Sequence, residues 1–270
     1  RDLGHDVSIY DKADRLGGQL HLAGAPPGRQ EFVQLARDLQ SQLAARDVKV
    51  MLNQQVDEKL VEKEKPQAVI LATGAVPVVL PIPGADLPNV VQAWDVLEGT
   101  VRTGRRVVII GGGAVGVETA LFLAEKGTLS GDALKFLLLN GAEAAEDLQA
   151  MASRGTKEVI LIEMIDRVGQ DIGKSTRWPM MQDVARAGIQ MRTATRALEI
   201  TESSVKVESD GKVEDIPADT VVLAAGVQAF NPLQKILEKK GIAVHVVGDA
   251  KTPAKAFDAI HQGFAVGRNL

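Results

Sequence analysis

The segment Arg106–Glu125, with the sequence RVVIIGGGAVGVETALFLAE, constrains the fold more than any other part of this chain. Its apolar run Val107–Ile110 is typical of a strand buried on both faces of a parallel sheet. Gly111, Gly113 and Gly116 then form the pattern G-x-G-x-x-G, and a helix is expected directly after them. A strand, a glycine turn and a helix in this order offer backbone N–H groups and a positive helix end to a phosphate. The segment therefore predicts a dinucleotide site; a glycine-rich turn without a ligand is the alternative.

Composition limits the class of protein. The 270 residues, 45% of them apolar, suffice for one large core or two medium ones. The net charge of −4 and the mixed signs give no argument for a nucleic acid or an anionic membrane as partner. No apolar run approaches the roughly 18 residues that span a bilayer, and no signal peptide opens the chain, so we expect a cytoplasmic protein. The absence of cysteine excludes disulfides and thiolate-held metals or iron–sulfur clusters within this segment.

The beginning of the chain suggests a fragment. Arg1–His5 has the character of a helix end with its terminating glycine, and a strand is predicted immediately afterwards, at Asp6–Tyr10. No initiator Met precedes it. We therefore expect a first strand and helix to lie upstream of Arg1.

The order of elements indicates two related units. The same order of elements occurs twice: a strand–helix–strand pattern, then three short strands, then a buried strand that ends in glycine. The first copy lacks its first strand and helix. Asp210-Gly211 predicts a tight hairpin within the second group of short strands. An unusually long connection in the second copy suggests an inserted strand at Leu134–Leu139 and a helix at Ala142–Met151. This insertion is either an elaboration of the fold or an interface.

Two carboxylates each follow the predicted second strand of a unit. This is the position at which a Rossmann unit carries the acidic residue that binds the cofactor ribose. Asp11 follows the strand at Asp6–Tyr10, although a turn-forming role at the strand end is the alternative. Glu163 ends the strand Val159–Ile162, and a carboxylate there accepts from an adenosine 2′-hydroxyl and repels a 2′-phosphate. This favours NADH, whereas Arg167 nearby would instead suit NADPH.

Several further segments resemble a known family. Ala72-Thr73-Gly74, the central GGGAVG, Ala224-Ala225-Gly226 and Gly248-Asp249 together resemble the flavoproteins with two dinucleotide domains. More narrowly, the chain is similar to the C-terminal FAD/NAD(P)-binding region of the NADH:flavin oxidoreductases of the enoate reductase and 2,4-dienoyl-CoA reductase type, which are old yellow enzyme-like. The more particular segments of this resemblance are Asp11-Lys12, Arg15–Gln19, Gly173–Trp178 and Ala259–Gly263.

The resemblance implies an α/β fold with two Rossmann-like dinucleotide-binding domains, the NAD(P) domain being inserted into a split FAD domain. We place the first part of the FAD domain at residues 1–95, the NAD(P) domain at 96–228 and the second FAD part at 229–270. Family members also carry an N-terminal barrel with FMN and a 4Fe–4S cluster, and no such barrel is in this sequence.

The resemblance also implies the cofactor-binding residues, and neither a catalytic side chain nor a metal ligand is expected. The predicted set is Asp11, Lys12, Arg15, Gly18, Gln19, Thr73, Gly74, Gly111, Gly113, Val115, Gly116, Glu118, Glu163, Gly226, Gly248, Asp249 and Ile260. For Arg15 a solvated loop arginine is the alternative, and for Glu118, expected near the nicotinamide, an ordinary exposed helix carboxylate. Asp249 would hold the flavin ribityl hydroxyls or be a surface aspartate.

The leading hypothesis is electron entry into a flavin oxidoreductase, in which NADH, with NADPH as the alternative, reduces FAD for onward transfer to the barrel, where activated C=C bonds are reduced. The alternatives are a non-catalytic, ADP-binding structural module and a self-contained flavin NADH oxidase. The expected partners are the cofactors and the barrel of the same protein, and a homo-oligomer is left open.

Overall fold

The computed structural model describes all residues, Arg1–Leu270, and these form two compact units. The outer unit comprises Arg1–Gly24, Arg29–Val76 and Val227–Leu270. The inserted unit comprises Pro77–Gly226 together with Ala25–Gly28. One unit is thus inserted into the other along the chain, as the sequence predicts.

Strands and helices alternate through most of the chain. The strands are β1 (Ser8–Tyr10), β2 (Lys49–Met51), β3 (Ala68–Leu71), β4 (Ala75–Pro77), β5 (Val90–Gln92), β6 (Arg106–Ile110), β7 (Glu158–Ile162), β8 (Gln190–Arg192), β9 (Thr195–Ile200), β10 (Ser204–Ser209), β11 (Lys212–Pro217), β12 (Thr220–Leu223), β13 (Val227–Ala229) and β14 (Ala243–Val246). The α-helices are α1 (Gln19–Ala23), α2 (Glu31–Ala44), α3 (Glu58–Glu64), α4 (Ala93–Glu98), α5 (Ala114–Ala124), α6 (Gly131–Leu139), α7 (Ala145–Ser153), α8 (Lys174–Arg186), α9 (Gln234–Lys239) and α10 (Ala256–Asn269), and Gly248–Ala250 forms a 3₁₀ turn. None of these helices has both the length and the apolar character needed to cross a membrane.

The inserted unit is built on a five-stranded parallel sheet with the order β5-β12-β6-β7-β8. The central strand β6 sends alternate side chains into two different cores. Val107 and Ile109 join a core with α5 and α8, while Val108 and Ile110 join a core with the strands β9, β10 and β11. The burial of both faces that the apolar run predicts is confirmed.

An antiparallel sheet, β11-β10-β9, covers the second face of the parallel sheet. Its hairpin turns at Asp210 and Gly211, whose φ angles of 52° and 72° suit a two-residue turn, as predicted. The repeated sequence pattern predicts a second group of three short strands in the outer unit, and that prediction is wrong. There the segment between β2 and β3 holds only the short helix α3, which Asp57 caps by accepting from the Leu60 N–H.

The insertion between α5 and β7 is helical throughout. The predicted strand at Leu134–Leu139 is the second half of α6, and the predicted helix at Ala142–Met151 corresponds to α7. The side chain of Ser130 caps α6 by accepting from the Ala133 N–H. The segment Leu134–Leu139 contains Leu, Phe and one Lys but no β-branched residue, so helix propensity and the cap outweigh the expectation of a strand.

The outer unit contains three strand pairs, β1 with β2, β3 with β14, and β4 with β13. Its small core is formed by Val61, Leu71 and Leu237. The division between the units lies earlier than the expected boundary at residues 95 and 96, because β5 pairs with β12 in the sheet of the inserted unit. The assignment of FAD and NAD(P) to the two units stays a prediction.

Candidate functional site

Two of the three motif glycines are required by the backbone of the inserted unit. Gly111 has a φ of +115°, and a Cβ added there would lie 2.4 Å from the carbonyl oxygen of Ala224. A Cβ on Gly116 would lie 1.9 Å from the carbonyl oxygen of Gly111, where helix α5 meets the turn. Gly111 therefore makes the turn and Gly116 allows close packing, whatever ligand the turn holds.

Gly113 has a different environment, because the atoms nearest to an added Cβ belong to the Asp171 side chain, the first of them at 3.2 Å. It is the N-cap of the helix with extended backbone angles (φ −71°, ψ −176°), which any residue can adopt. The first intrahelical hydrogen bond runs from the Val117 N–H to the Gly113 carbonyl oxygen (3.0 Å), so the N–H groups of Ala114, Val115 and Gly116 precede the helical ladder. These donors and the positive end of the helix fit a pyrophosphate. The Val115 side chain is partly buried and packs against the core.

Glu163 is held rigidly beside the glycine turn. Its two carboxylate oxygens accept from different backbone N–H groups, one from Gly112 at 2.6 Å and the other from Ile165 at 3.0 Å. The carboxylate thus lies at the end of β7 with its orientation fixed by the backbone. A fixed acceptor in this position fits an adenosine ribose diol.

The structure adds a segment that the predicted set does not contain, Val168–Asp171, which we call the strap. The Gly169 N–H donates to the Gly112 carbonyl oxygen at 2.6 Å. Arg177 donates from Nε and a terminal nitrogen to the Val168 carbonyl oxygen, at 3.0 and 2.7 Å. The Asp171 carboxylate accepts from the Ala114 N–H at 2.9 Å. The strap is therefore tied to the glycine turn.

In the outer unit, several predicted residues that are distant in sequence come together. Gln19 Nε2 donates to Asp249 at 3.1 Å, across 230 positions of the chain. The other oxygen of Asp249 accepts from the Ala254 N–H at 3.0 Å. Gly74 has a φ of +75°, and a Cβ there would lie 3.4 Å from Gln19 Nε2. The Gly248 N–H donates to Gln262 Oε1 at 2.9 Å, which adds Gln262 to the cluster. The segments that follow β3 and β14 and the start of α1 at Gln19 thus form one polar cluster.

Other predicted residues of the outer unit lie around this cluster without joining it. One oxygen of Asp11 accepts from the Ala13 N–H at 2.9 Å, which is the turn-forming role weighed as its alternative. The hydroxyl of Thr73 donates to the carbonyl oxygen of Phe230. Gly18 is the N-cap of α1, with a φ of +47°. The side chains of three further members of the predicted set are exposed, namely those of Lys12, Arg15 and Ile260.

The last two members of the predicted set belong to the inserted unit. Glu118 is half-buried on the first turns of α5, two residues beyond Gly116. Gly226 follows β12 with a φ of +92°, and its carbonyl oxygen accepts from the Val78 N–H at 3.0 Å. The turn geometry accounts for glycine at this position, and the contact of both residues with a cofactor stays a prediction.

The two units, one inserted in the other, and the glycine turn before α5 define the class of flavoproteins with two dinucleotide-binding domains. Residues 1–261 match the pyridine nucleotide-disulphide oxidoreductase family, and the chain belongs to that family. It is a family of flavin-dependent NAD(P)H oxidoreductases, whose fold binds FAD and a pyridine nucleotide. The disulphide in the family name has no counterpart here, because the chain contains no cysteine.

Relatives of known activity are much longer than this chain. A metal reductase of Desulforamulus reducens is 42% identical over 267 residues, which are 97% of this chain and 40% of the relative. An NADH oxidase of Thermoanaerobacter brockii is 38% identical, again over 97% of this chain but 37% of its own length. Among solved structures, a 2-naphthoyl-CoA reductase complex superposes with a TM-score of 0.84 and 28% identity, covering 99% of this chain and 36% of that one. The chain thus spans about two fifths of the length of these proteins.

Proposed function

We propose that this chain is the electron-entry region of a flavin oxidoreductase, in which NADH binds the inserted unit and FAD the outer unit. The observation that supports it best is the glycine turn, where Gly111 and Gly116 are required by the backbone, while Gly113 faces an exposed side chain, Asp171, at the start of α5. FAD, when bound, would accept a hydride from the nicotinamide and pass electrons on. The protein residues supply binding and orientation.

In the inserted unit, the proposed roles follow from the donors and acceptors present. The N–H groups at the start of α5 would bind the pyrophosphate, and their alignment with the helix axis adds a favourable interaction with negative charge. Glu163 would accept from the ribose diol of NADH. Because both of its oxygens are already fixed by backbone donors, binding would require no reorientation of this side chain.

In the outer unit, the proposed FAD contacts center on Gln19 and Asp249. The Asp249 carboxylate is oriented by Gln19 Nε2 and the Ala254 N–H, so its remaining acceptor capacity is available to ribityl hydroxyls. Gly74 and Gly248 have positive φ and no side chain, which allows a cofactor close to the backbone at both strand ends. Lys12 and Arg15, both exposed, would contribute positive charge toward the cofactor phosphates.

The further step of the proposal concerns the whole protein. We propose that electrons leave FAD for an N-terminal barrel that holds FMN and a 4Fe–4S cluster and reduces activated C=C bonds. The support is the length of the relatives, which leaves about three fifths of each outside the match, together with the naming of one solved neighbour as 2-naphthoyl-CoA reductase. The competing proposals are an ADP-holding structural module and a self-contained NADH oxidase.

Anaerobic stopped-flow mixing of the full protein with NADH tests the proposal. We expect the purified protein to carry FAD and the flavin absorbance to bleach within a turnover. Bleaching of FAD followed by reduction of FMN and the cluster supports the barrel. Bleaching without FMN or a cluster, followed by continued NADH turnover once oxygen is admitted, supports the oxidase. A colourless protein that holds ADP, or a flavin that NADH leaves oxidised, contradicts electron entry.

A further inference from the structure

We propose that Asp171 is an internal substitute for the dinucleotide phosphate, so that it must leave the end of α5 when NADH binds. This inference rests on the proposed NADH site of the inserted unit. It assigns to the strap Val168–Asp171 a role in setting the affinity of that site.

The position of the carboxylate carries the proposal. Both oxygens of Asp171 lie within hydrogen-bond distance of the Ala114 N–H, at 2.9 and 3.0 Å. Ala114 is the first residue of α5, and a Cβ on Gly113 would lie 3.2 Å from the same carboxylate. Negative charge is favourable at a helix N-terminus, whether it belongs to a side chain or a phosphate. A carboxylate and a pyrophosphate cannot occupy this end of the helix together, because both are anions in need of the same donors.

The backbone of the strap is anchored, so the movement that the proposal needs is confined to the exposed Asp171 side chain. The base of the strap is tied down, since Arg177 donates to the Val168 carbonyl oxygen and the Gly169 N–H donates to Gly112. Val168 and Gly169 are buried, whereas Asp171 at the far end is exposed. The Asp171 side chain can therefore swing into solvent while the base of the strap stays in place.

Binding would then include the displacement of Asp171, and removing its charge should strengthen binding. We compare the full protein with Asp171→Asn and Asp171→Ala, titrating each with NADH by fluorescence. Asp183→Asn is the matched control, because Asp183 lies on α8 and pairs with Arg186 on the surface. Contacts of a carboxylate with a helix N-terminus shift equilibria by about 3- to 30-fold, so we expect the Kd of both Asp171 variants to fall by such a factor. The control should bind as the wild type does.

Thermal unfolding of the same proteins without ligand separates this role from a structural one. If Asp171 serves only as a helix cap, both variants should unfold at a lower temperature than the wild type and should bind NADH no more tightly than it does. Displacement predicts the lower unfolding temperature together with the tighter binding. An unchanged or higher Kd in the two folded variants overturns the inference and leaves the NADH site intact. A wild type that binds neither NADH nor NADPH overturns the inference and the proposed function alike.

Discussion

Replacing Gly113 by Ala should weaken NADH binding while leaving the protein folded. Replacing Gly116 by Ala should instead destabilise the fold itself. The two glycines are three residues apart in one motif, yet the space around them differs. A Cβ on Gly113 meets the end of the Asp171 side chain at 3.2 Å, and that flexible neighbour can move. A Cβ on Gly116 meets the backbone oxygen of Gly111 at 1.9 Å, and a turn cannot shift so far without distorting the sheet.

The expected magnitudes follow from these contacts. Gly113→Ala places a poorer residue at a helix N-cap, which costs about 1 kcal/mol of unfolding free energy. Gly116→Ala forces backbone apart inside a packed unit and should cost more than about 3 kcal/mol. If the new methyl group at residue 113 costs NADH one charge-assisted hydrogen bond, worth about 1.5–3 kcal/mol, its Kd rises ~10- to ~150-fold.

Denaturant unfolding and NADH titration of the full protein measure both quantities. Gly131→Ala is the matched control, because Gly131 begins α6 with nothing within 4 Å of its added Cβ. Gly131→Ala should have the Kd for NADH of the wild type and an equal or slightly higher free energy of unfolding. The flavin content of Gly113→Ala should equal that of the wild type. A Gly113→Ala protein that is folded and reduces its flavin with the wild-type KM for NADH would refute the assignment of this turn to the dinucleotide.

Three further substitutions test other parts of the structure. Glu163→Ala should raise the KM for NADH about tenfold, by loss of a hydrogen bond to a charged acceptor, and narrow its advantage over NADPH; unchanged kinetics with both coenzymes would contradict the ribose role. Gln19→Ala, which frees one oxygen of Asp249, should lower the ratio of bound FAD to protein after dialysis, and full retention would argue against the proposed FAD contact. Asp219→Asn should lower the unfolding temperature at neutral pH, because the Arg106 side chain and N–H lower the pKa of Asp219 from its ordinary value to about 2. The stability it contributes is present above its ordinary pKa and is lost as pH falls toward about 2, so the two melting curves should converge there; a constant difference down to that pH would contradict this.

The parts of the fold that sequence predicts well are those in which neighbouring residues carry the whole signal. The run Val107–Ile110 predicts a strand buried on both faces, and the two cores around β6 bear this out. The hairpin at Asp210-Gly211 is equally local, because the left-handed angles it needs favour these residue types. The short apolar run Leu134–Leu139 is the instructive failure, since strand and buried helix look alike at that length and the cap at Ser130 decides between them.

What sequence could not supply is the set of contacts made between distant segments. Glu163 lies 51 positions from the Gly112 N–H that fixes it, because α6 and α7 are inserted between α5 and β7. Asp171 carries no signal in the sequence that separates it from other loop aspartates, and only the placement of the strap brings it to Ala114. Arg177 belongs to a segment that resembles the family, but its bond to the strap carbonyl depends on the fold of that loop.

Backbone N–H groups determine the chemistry of both proposed sites more than ion pairs do. Glu163 is oriented by the N–H groups of Gly112 and Ile165, and Asp249 by the N–H of Ala254 together with the Gln19 amide. The residues that orient both carboxylates are neutral donors, and each carboxylate oxygen that accepts one hydrogen bond has further lone-pair capacity for hydroxyl donors. An arginine partner would fix a carboxylate equally well but would occupy both oxygens in a forked pair. Neutral donors therefore fix the orientation of both acceptors, as the proposed contacts with sugar-like hydroxyls require, and at Glu163 the uncompensated carboxylate would also disfavour the 2′-phosphate of NADPH.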